Sequence, residues 1–209
     1  DVDLTDRPTA SEVTKSVTAK RADGITNLPL TTEQLAAIEN AFSISPAAGN
    51  DNDGTINWTY DIDAGDLEFL AEGEVVTAVF TITVDDGNGG TATQDVTVTL
   101  TGSNDAPQVT VDAPEDFTEA GDAAAQDLVQ SGEVHFADVD LTDTIDVSFE
   151  SNDDITWSRA DNSVVGTLPA GLAQALVDAF STGATGLDNE GSIGWTYDVR
   201  GLDLDFLNA

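Results

Sequence analysis

Carboxylates spaced two residues apart are the groups in this chain best placed to do chemistry. Asp138-Val139-Asp140 and Asp1-Val2-Asp3 each set two aspartates on one side of an extended segment, so that the pair can share a cation. Asp105 stands between Asn104 and Ala106-Pro107, and Glu115 and Glu119 follow closely. Asp61, Asp63 and Asp66 form a third acidic group. Short carboxylates in turns suit hard cations, and Ca2+ takes about six to eight oxygens at ~2.3–2.6 Å. No single loop here supplies that many. A Ca2+ site therefore requires the Asp105 segment, a Asp-Val-Asp segment and a nearby glutamate to converge, with Asp105 at a hinge. Asp61 is matched by Asp198 in the second half, but Asp63 meets Arg200, so the third group is not repeated intact. The competing reading of each group is a solvated acidic turn.

The charge balance narrows the partners. Forty acidic residues (29 Asp and 11 Glu) against six basic ones give a net charge of −34. Such a field repels nucleic acid and anionic membrane surfaces. It leaves a salt-adapted surface or divalent-cation binding, and the excess of Asp favours cations. Without cysteine there is no disulfide and no thiolate metal site. His135, the single histidine, is out of phase with Val134 and Phe136 and is expected to face solvent. It has no partner set for a catalytic triad, and carboxylate pairs arise by chance at this acidity, so no enzymatic activity is expected. Asp51-Asn52-Asp53-Gly54 and Gly87-Asn88-Gly89-Gly90 read as hairpin tips; neither completes an EF-hand loop or a GGxGxD nonapeptide. No apolar run reaches the ~18 residues of a membrane span. With no Met and no signal peptide, the chain reads as the interior of a longer polypeptide.

The elements that must position these acids are strands. Ala78, Phe80, Ile82 and Val84 alternate with Thr81 and Thr83, and Val96, Val98 and Leu100 alternate with Thr97, Thr99 and Thr101. These are half-buried antiparallel strands closed by the turn at Asp85–Gly90. Further strands are expected at 13–19, 55–62, 109–112, 133–137, 144–151 and 192–199. Each half also carries one short helix. Thr31 and Gln34 form a capping box ahead of Leu35, Ile38 and Phe42, and Leu172, Leu176 and Phe180 follow Leu168-Pro169. Second helical turns are expected at 66–70 and 203–207. Ile56, Trp58, Tyr60 and Ile62 share a face, which predicts Trp58 and its match Trp195 as core rather than sugar-stacking platforms. Trp157 is the tryptophan more suited to exposure.

The chain also repeats itself. Asp1-Val2-Asp3-Leu4-Thr5-Asp6 returns at Asp138–Asp143, Gly54–Asp61 at Gly191–Asp198, and Asp66–Leu70 at Asp203–Leu207, all at an offset of 137 residues. The period is too long for a solenoid, so each copy should own a core. The expected class is all-β, as tandem β-sandwiches with one short helical insertion per repeat. The boundary is expected at 104/105: residues 1–104 form a repeat lacking its N-terminal part, and 105–209 a repeat lacking its C-terminal hairpin. Either the segment is out of register with its units, or neighbouring chains complete one another by strand donation.

The stretch from Gly73-Glu74 through Phe80-Thr81-Ile82-Thr83-Val84-Asp85-Asp86-Gly87-Asn88-Gly89-Gly90 and Val96–Leu100 to Gly102-Ser103-Asn104-Asp105-Ala106-Pro107 resembles the VCBS repeat of large bacterial surface adhesins of the RTX type, secreted by the type I route. The resemblance implies immunoglobulin- or cadherin-like sandwiches strung as extenders at the bacterial cell surface, with Ca2+ between repeats. Asn104-Asp105-Ala106-Pro107 is similar to the Asn-Asp-x-x-Pro linker of cadherins, one residue shorter before the proline. The expected function is mechanical: Ca2+-stiffened beads that project a distal binding region for adhesion and biofilm formation, with neighbouring repeats and other copies of the chain as partners. The alternatives are a glycan- or ice-binding module presenting the outward threonine rows, and a filament subunit joined by strand donation.

Overall fold

The computed structural model describes residues 1–48, 50–118, 128–152, 155–158, 163, 168–204 and 207. It is mostly β-sheet and divides into two compact units, Asp1–Asp105 with Val139–Leu141, and Ala106–Asp138 with Thr142–Ala209. No helix among the described residues is long and apolar enough to cross a membrane.

The first unit runs β1 (Thr9–Lys20), α1 (Thr32–Asn40), β2 (Phe42–Pro46), β3 (Ile56–Tyr60), a 3-10 turn at Ala64–Asp66, β4 (Val75–Asp85) and β5 (Thr91–Thr101). β4 is the centre of an antiparallel sheet ordered β1-β4-β5, and β2 pairs with β3 in a separate hairpin. The alternation in β4 works as expected: Val76, Ala78 and Phe80 are buried while the residues between them are half-buried. Phe80 stacks flat on Phe42 of β2, ring centroids 4.2 Å apart, and so joins the two sheets through one aromatic contact. Around it gather Leu28, Ile38, Leu70 and Val76.

Local chemistry fixes the ends of these elements. Thr31 Oγ1 accepts the Gln34 N–H at 3.2 Å and Gln34 Oε1 accepts the Thr31 N–H at 2.8 Å, the reciprocal pair that starts α1. The β4–β5 turn closes on Asp86, whose Oδ1 accepts the N–H groups of Asn88 and Gly90. Gly87 and Gly89 supply the positive φ angles, +78° and +102°, that this turn needs. In β1 the register shifts between Thr14 and Ser16, leaving Lys15 out of the ladder. Its ammonium pairs with Asp95 of β5 at 2.6 Å.

The second unit runs β6 (Gln108–Val111), β7 (Val129–Ala137), β8 (Ile145–Val147), α2 (Leu172–Asp178), β9 (Phe180–Ser181), β10 (Ala184–Leu187) and β11 (Glu190–Asp198). β6, β7, β11 and β9 form one antiparallel sheet in that order, and β8 pairs with β10. Leu128, Leu172, Val199 and Leu204 are buried together. The repeated sequences build repeated pairings. Phe42 faces Tyr60 across β2–β3, and Phe180 faces Tyr197 across β9–β11. The Phe42 and Trp58 rings lie 6.0 Å apart at 21°, and those of Phe180 and Trp195 lie 5.9 Å apart at 21°.

Several expectations shift. Trp195 is core at 3% exposure, but Trp58 is 50% exposed and is not. Alternation places Trp58 on the expected side of β3; nothing among the described residues covers its outer part, because β3 pairs only with β2. Phe42 and Phe180 lie beyond their helices, in β2 and β9, while Ile38 and Leu172 are the buried helical residues. The strand expected at 144–151 is confined to Ile145–Val147. The helical turn expected at 66–70 starts earlier, at Ala64; that expected at 203–207 lies partly outside the described residues. Trp157 is half-buried.

Truncating the aromatic contact tests this account of the core. Phe80→Ala should cost about 3–5 kcal/mol, and Thr31→Ala about 1 kcal/mol, both read from urea unfolding. Equal midpoints for Phe80→Ala and the parent chain would remove Phe80 from its central place.

Candidate functional site

The buried ionisable side chains among the described residues are all carboxylates: Glu74 (1% exposed), Asp138 (9%) and Asp140 (0%). Withdrawing a carboxylate from water is costly unless charge or hydrogen bonds replace the lost hydration. These three positions therefore mark where the acidic excess does something other than keep the surface wet.

Glu74 is placed by a tight turn. Ala71-Glu72-Gly73-Glu74 closes with the Glu74 N–H on the Ala71 carbonyl at 3.0 Å, and Gly73 takes φ +80°. The Glu74 carboxylate returns the contact, accepting the Ala71 N–H at 3.3 Å. The strand period then puts Glu74 on the same buried face as Val76, Ala78 and Phe80.

Asp105 reaches this region through Gly102. The Gly102 N–H donates to the Glu74 carbonyl at 2.9 Å, and a Cβ at Gly102 would overlap the carbonyls of Leu70 and Ala71. Only glycine allows that approach, and it brings the chain leading to Asn104 and Asp105 against the turn before β4. Within the same unit, Val139–Leu141 is held at two points. The Leu141 N–H donates to the Phe69 carbonyl at 3.4 Å, and the Asp105 N–H donates to Asp140 Oδ2 at 2.8 Å. Burial here is inverted. Asp140 is inside, whereas its neighbours Val139 and Leu141 are each 46% exposed. Buried polar groups are the informative exceptions to ordinary partition.

The other sequence candidates separate from this group. Asp138 belongs to the second unit, where its N–H donates to the Asn189 carbonyl at 2.7 Å and its carbonyl accepts from Asn189 Nδ2 at 3.0 Å. Glu115 is exposed; its N–H and carbonyl are both bonded to the Gln130 amide of β7. Glu119 lies outside the described residues. Asp61, Asp63 and Asp66 are exposed, as solvated turn residues are. Asp1 and Asp3 are exposed too, so the hexapeptide that buries its first two acids at Asp138 and Asp140 leaves them in water at Asp1 and Asp3, while the third acid is half-buried in both copies. Asp1 instead meets Asp6 and Asp86, with one carboxylate oxygen of each within 4.8 Å of the others. Alternation read back to residue 74 would have found Glu74. Asp6 and Asp86 carry no such signal, because only folding brings them to Asp1.

Many of the remaining acids work as local fasteners. Asp23 accepts from Thr26 Oγ1 and from the N–H groups of Ile25 and Thr26, and its pKa falls to about 2 chiefly through the Thr26 hydroxyl. Asp198 is lowered to about 2 by its hydrogen bonds from the Arg200 side chain and backbone. Asp95 is lowered by Lys15 and then by Thr81, whose hydroxyl donates at 2.7 Å. A charged bond thus crosses the threonine face that an ice- or glycan-binding reading would need flat. His135 is exposed as expected, with Asp112 at 3.5 Å and Glu133 at 3.8 Å.

No family model, curated protein or solved structure matches this chain.

Two outcomes test these assignments. Gly102→Val should destabilise the first unit by about 1–3 kcal/mol through overpacking against the Leu70 and Ala71 carbonyls. A depressed carboxylate contributes stability above its unfolded pKa of ~3.9, and that contribution is lost as pH falls through the folded value of about 2. The stability gap between the protein and Asp198→Asn should therefore be full at pH 7 and close between about pH 4 and pH 2. A gap that stays constant down to pH 2 would contradict the Arg200 assignment.

Proposed function

We propose that the chain is an extender segment of a bacterial cell-surface adhesin, an array of immunoglobulin- or cadherin-like β-sandwich repeats stiffened by Ca2+. One observation carries the reading: fully buried Asp140 accepts the backbone N–H of Asp105 at 2.8 Å, in the unit that also buries Glu74. A segment expected to bring cation ligands is thus bonded to a carboxylate that has lost its water. Asp105 and Asp140 are residues that would contribute to holding the ion, and Asp1, Asp6 and Asp86, whose carboxylate oxygens lie within 4.8 Å of one another, form a second acidic group that could hold one. Hard carboxylate oxygens fit Ca2+, which accepts irregular oxygen shells and leaves room for water and carbonyl ligands. The 137-residue sequence period and the recurring Phe–Trp and Phe–Tyr pairings support a tandem array.

The chain's own residues supply the mechanics. Without a cation, the carboxylates of Asp105 and Asp140 repel one another within a chain of net charge −34. A bound divalent ion replaces that repulsion with attraction and fixes the segments that carry the ligands. Extracellular calcium modules bind at about 10⁻⁴–10⁻³ M, and Ca2+ at ~100 times its Kd adds about 2.7 kcal/mol per site. That is a large share of the ~5–15 kcal/mol that holds a domain folded. Such a segment acts outside the cell, with neighbouring repeats as its partners, and presents a distal region for adhesion.

Scanning calorimetry in EDTA and in 10 mM CaCl2, with MgCl2 and NaCl controls at equal ionic strength, tests the metal. The melting temperature should rise specifically with Ca2+, and Asp140→Asn should lose most of the rise. Identical curves in EDTA and CaCl2 would refute the reading. An equal rise with NaCl would replace it with general salt adaptation.

A further inference from the structure

The second unit holds a cavity walled by aromatic rings. Its volume is about 360 Å³, and Phe117, Phe180, Trp195 and Tyr197 line it together with Glu115 and Asp116. Small-molecule sites usually occupy about 300–1,000 Å³. The Phe117 and Tyr197 rings stand 5.7 Å apart at 44°, and those of Phe180 and Trp195 stand 5.9 Å apart at 21°. Phe180 faces Tyr197 across β9–β11, so the two ring pairs share one hollow.

One glycine and two fasteners shape the hollow. The chain leaving β6 is pinned to β7 at Glu133: the Asp112 N–H donates to the Glu133 carbonyl at 2.9 Å, and Asp112 Oδ2 accepts the Glu133 N–H at 3.0 Å. It is pinned again at Gln130, whose amide bonds the N–H and the carbonyl of Glu115 at 2.8 and 2.7 Å. Gly132 lies between the two pinned positions of β7 and carries no side chain. The Trp195 indole lies over it instead. A Cβ at Gly132 would stand 2.8 Å from Cε2, Cζ2 and Nε1 of that ring. Trp195 is 3% exposed, and its Nε1–H finds no acceptor among the described residues. A buried donor without a partner is costly, and an acceptor brought by a ligand would remove that cost.

Ring faces attract cations, most strongly where the ring is withdrawn from water. The exposed carboxylates of Glu115 and Asp116 add attraction of the same sign, within a chain of net charge −34 that repels anionic ligands. Asp112 is already engaged by the Glu133 N–H and by His135, 3.5 Å from its Oδ1. A hydrated metal ion gains little from apolar walls, whereas a cation clothed in methyl groups gains from the walls and the rim together. We propose that this cavity binds a small quaternary ammonium that carries a hydroxyl group, choline being the simplest. The methylated nitrogen sits among the rings, and the hydroxyl oxygen accepts the Trp195 N–H. The site needs no metal and does not rest on the extender reading, so its failure and the failure of the Ca2+ reading are separable.

Calorimetric titration of the full chain with choline chloride in EDTA tests the proposal, with NaCl at equal ionic strength as the blank. Choline should bind at a single site. Its neutral isostere, with a tert-butyl group in place of the trimethylammonium, should bind about tenfold more weakly or less. Glycine betaine should also bind more weakly, because its carboxylate meets the acidic rim. Phe117→Leu keeps the apolar bulk and removes a ring, and should weaken choline about tenfold. Joint Glu115→Gln and Asp116→Asn should weaken it about threefold. That double variant alters only exposed side chains and decides the matter if Phe117→Leu fails to fold. No uptake at about 50 mM choline overturns the proposal. Equal binding of the neutral isostere overturns it as well, as does unchanged affinity in the folded variants. Glucose uptake without choline uptake would make the cavity a sugar site and overturn it too. Sedimentation with phosphatidylcholine vesicles separates the free cation from the same group on a lipid; retention there without uptake of free choline counts against the proposal.

Discussion

Burial of negative charge is the constraint on which the rest of this molecule depends. A chain with 40 acidic and six basic residues can hold most of its acids in water at little cost. Glu74, Asp138 and Asp140 are not so held, and each carries a desolvation cost of several kcal/mol that its surroundings must offset. For Asp140 part of the offset is visible as the Asp105 N–H. The inversion that leaves Val139 and Leu141 outside shows that the segment is oriented by its carboxylates and not by its apolar side chains. The same hexapeptide at Asp1–Asp6 is exposed throughout, apart from half-buried Asp6. Its residues thus have no intrinsic preference for the interior; the turn before β4 and the approach at Gly102 create the place into which Asp140 fits.

What was legible in the sequence was local or periodic. The capping box at Thr31 and Gln34 involves groups three residues apart, and it formed as written. The β4–β5 hairpin follows from alternation on either side of a glycine-rich turn. Trp58 shows where such signals stop. Alternation names the face a side chain occupies, but the covering of that face comes from a strand elsewhere in the chain, and among the described residues β3 has none where β11 has β7. Glu74 was legible in principle, since it continues the buried phase of Val76, Ala78 and Phe80. Its carboxylate concealed it, because a charged residue at the head of an apolar series reads as the residue before the strand. Asp61, Asp63 and Asp66 were attractive for their spacing alone, and spacing without burial left them in solvent.

The acids divide into populations with different physics. Asp23, Asp86 and Asp198 bond to donors within a few residues and fasten turns, which accounts for their lowered pKa values without any ion. Asp95 ties Lys15 at the bulge of β1 to Thr81 on β4. Exposed Asp1 and half-buried Asp6 and Asp86 gather with one carboxylate oxygen of each within 4.8 Å of the others. Glu74 and Asp140 differ in being withdrawn from water. Acidity by itself therefore separates these residues little; burial is what sets Glu74, Asp138 and Asp140 apart from the rest.

The two tryptophans show how a repeated sequence can encode an incomplete surface. Pairing with β2 or β9 is enough to set the indole against its phenylalanine, since that stack is the same in both places. It is not enough to bury it. The Trp195 indole is buried with the glycine-bearing β7 alongside, and Trp58, with no such strand beside it among the described residues, stays half exposed. An indole half in water, on an uncharged strand edge, is a poor end state for a surface otherwise so rich in aspartate. The uncharged edge of β3 is where that acidic surface is interrupted.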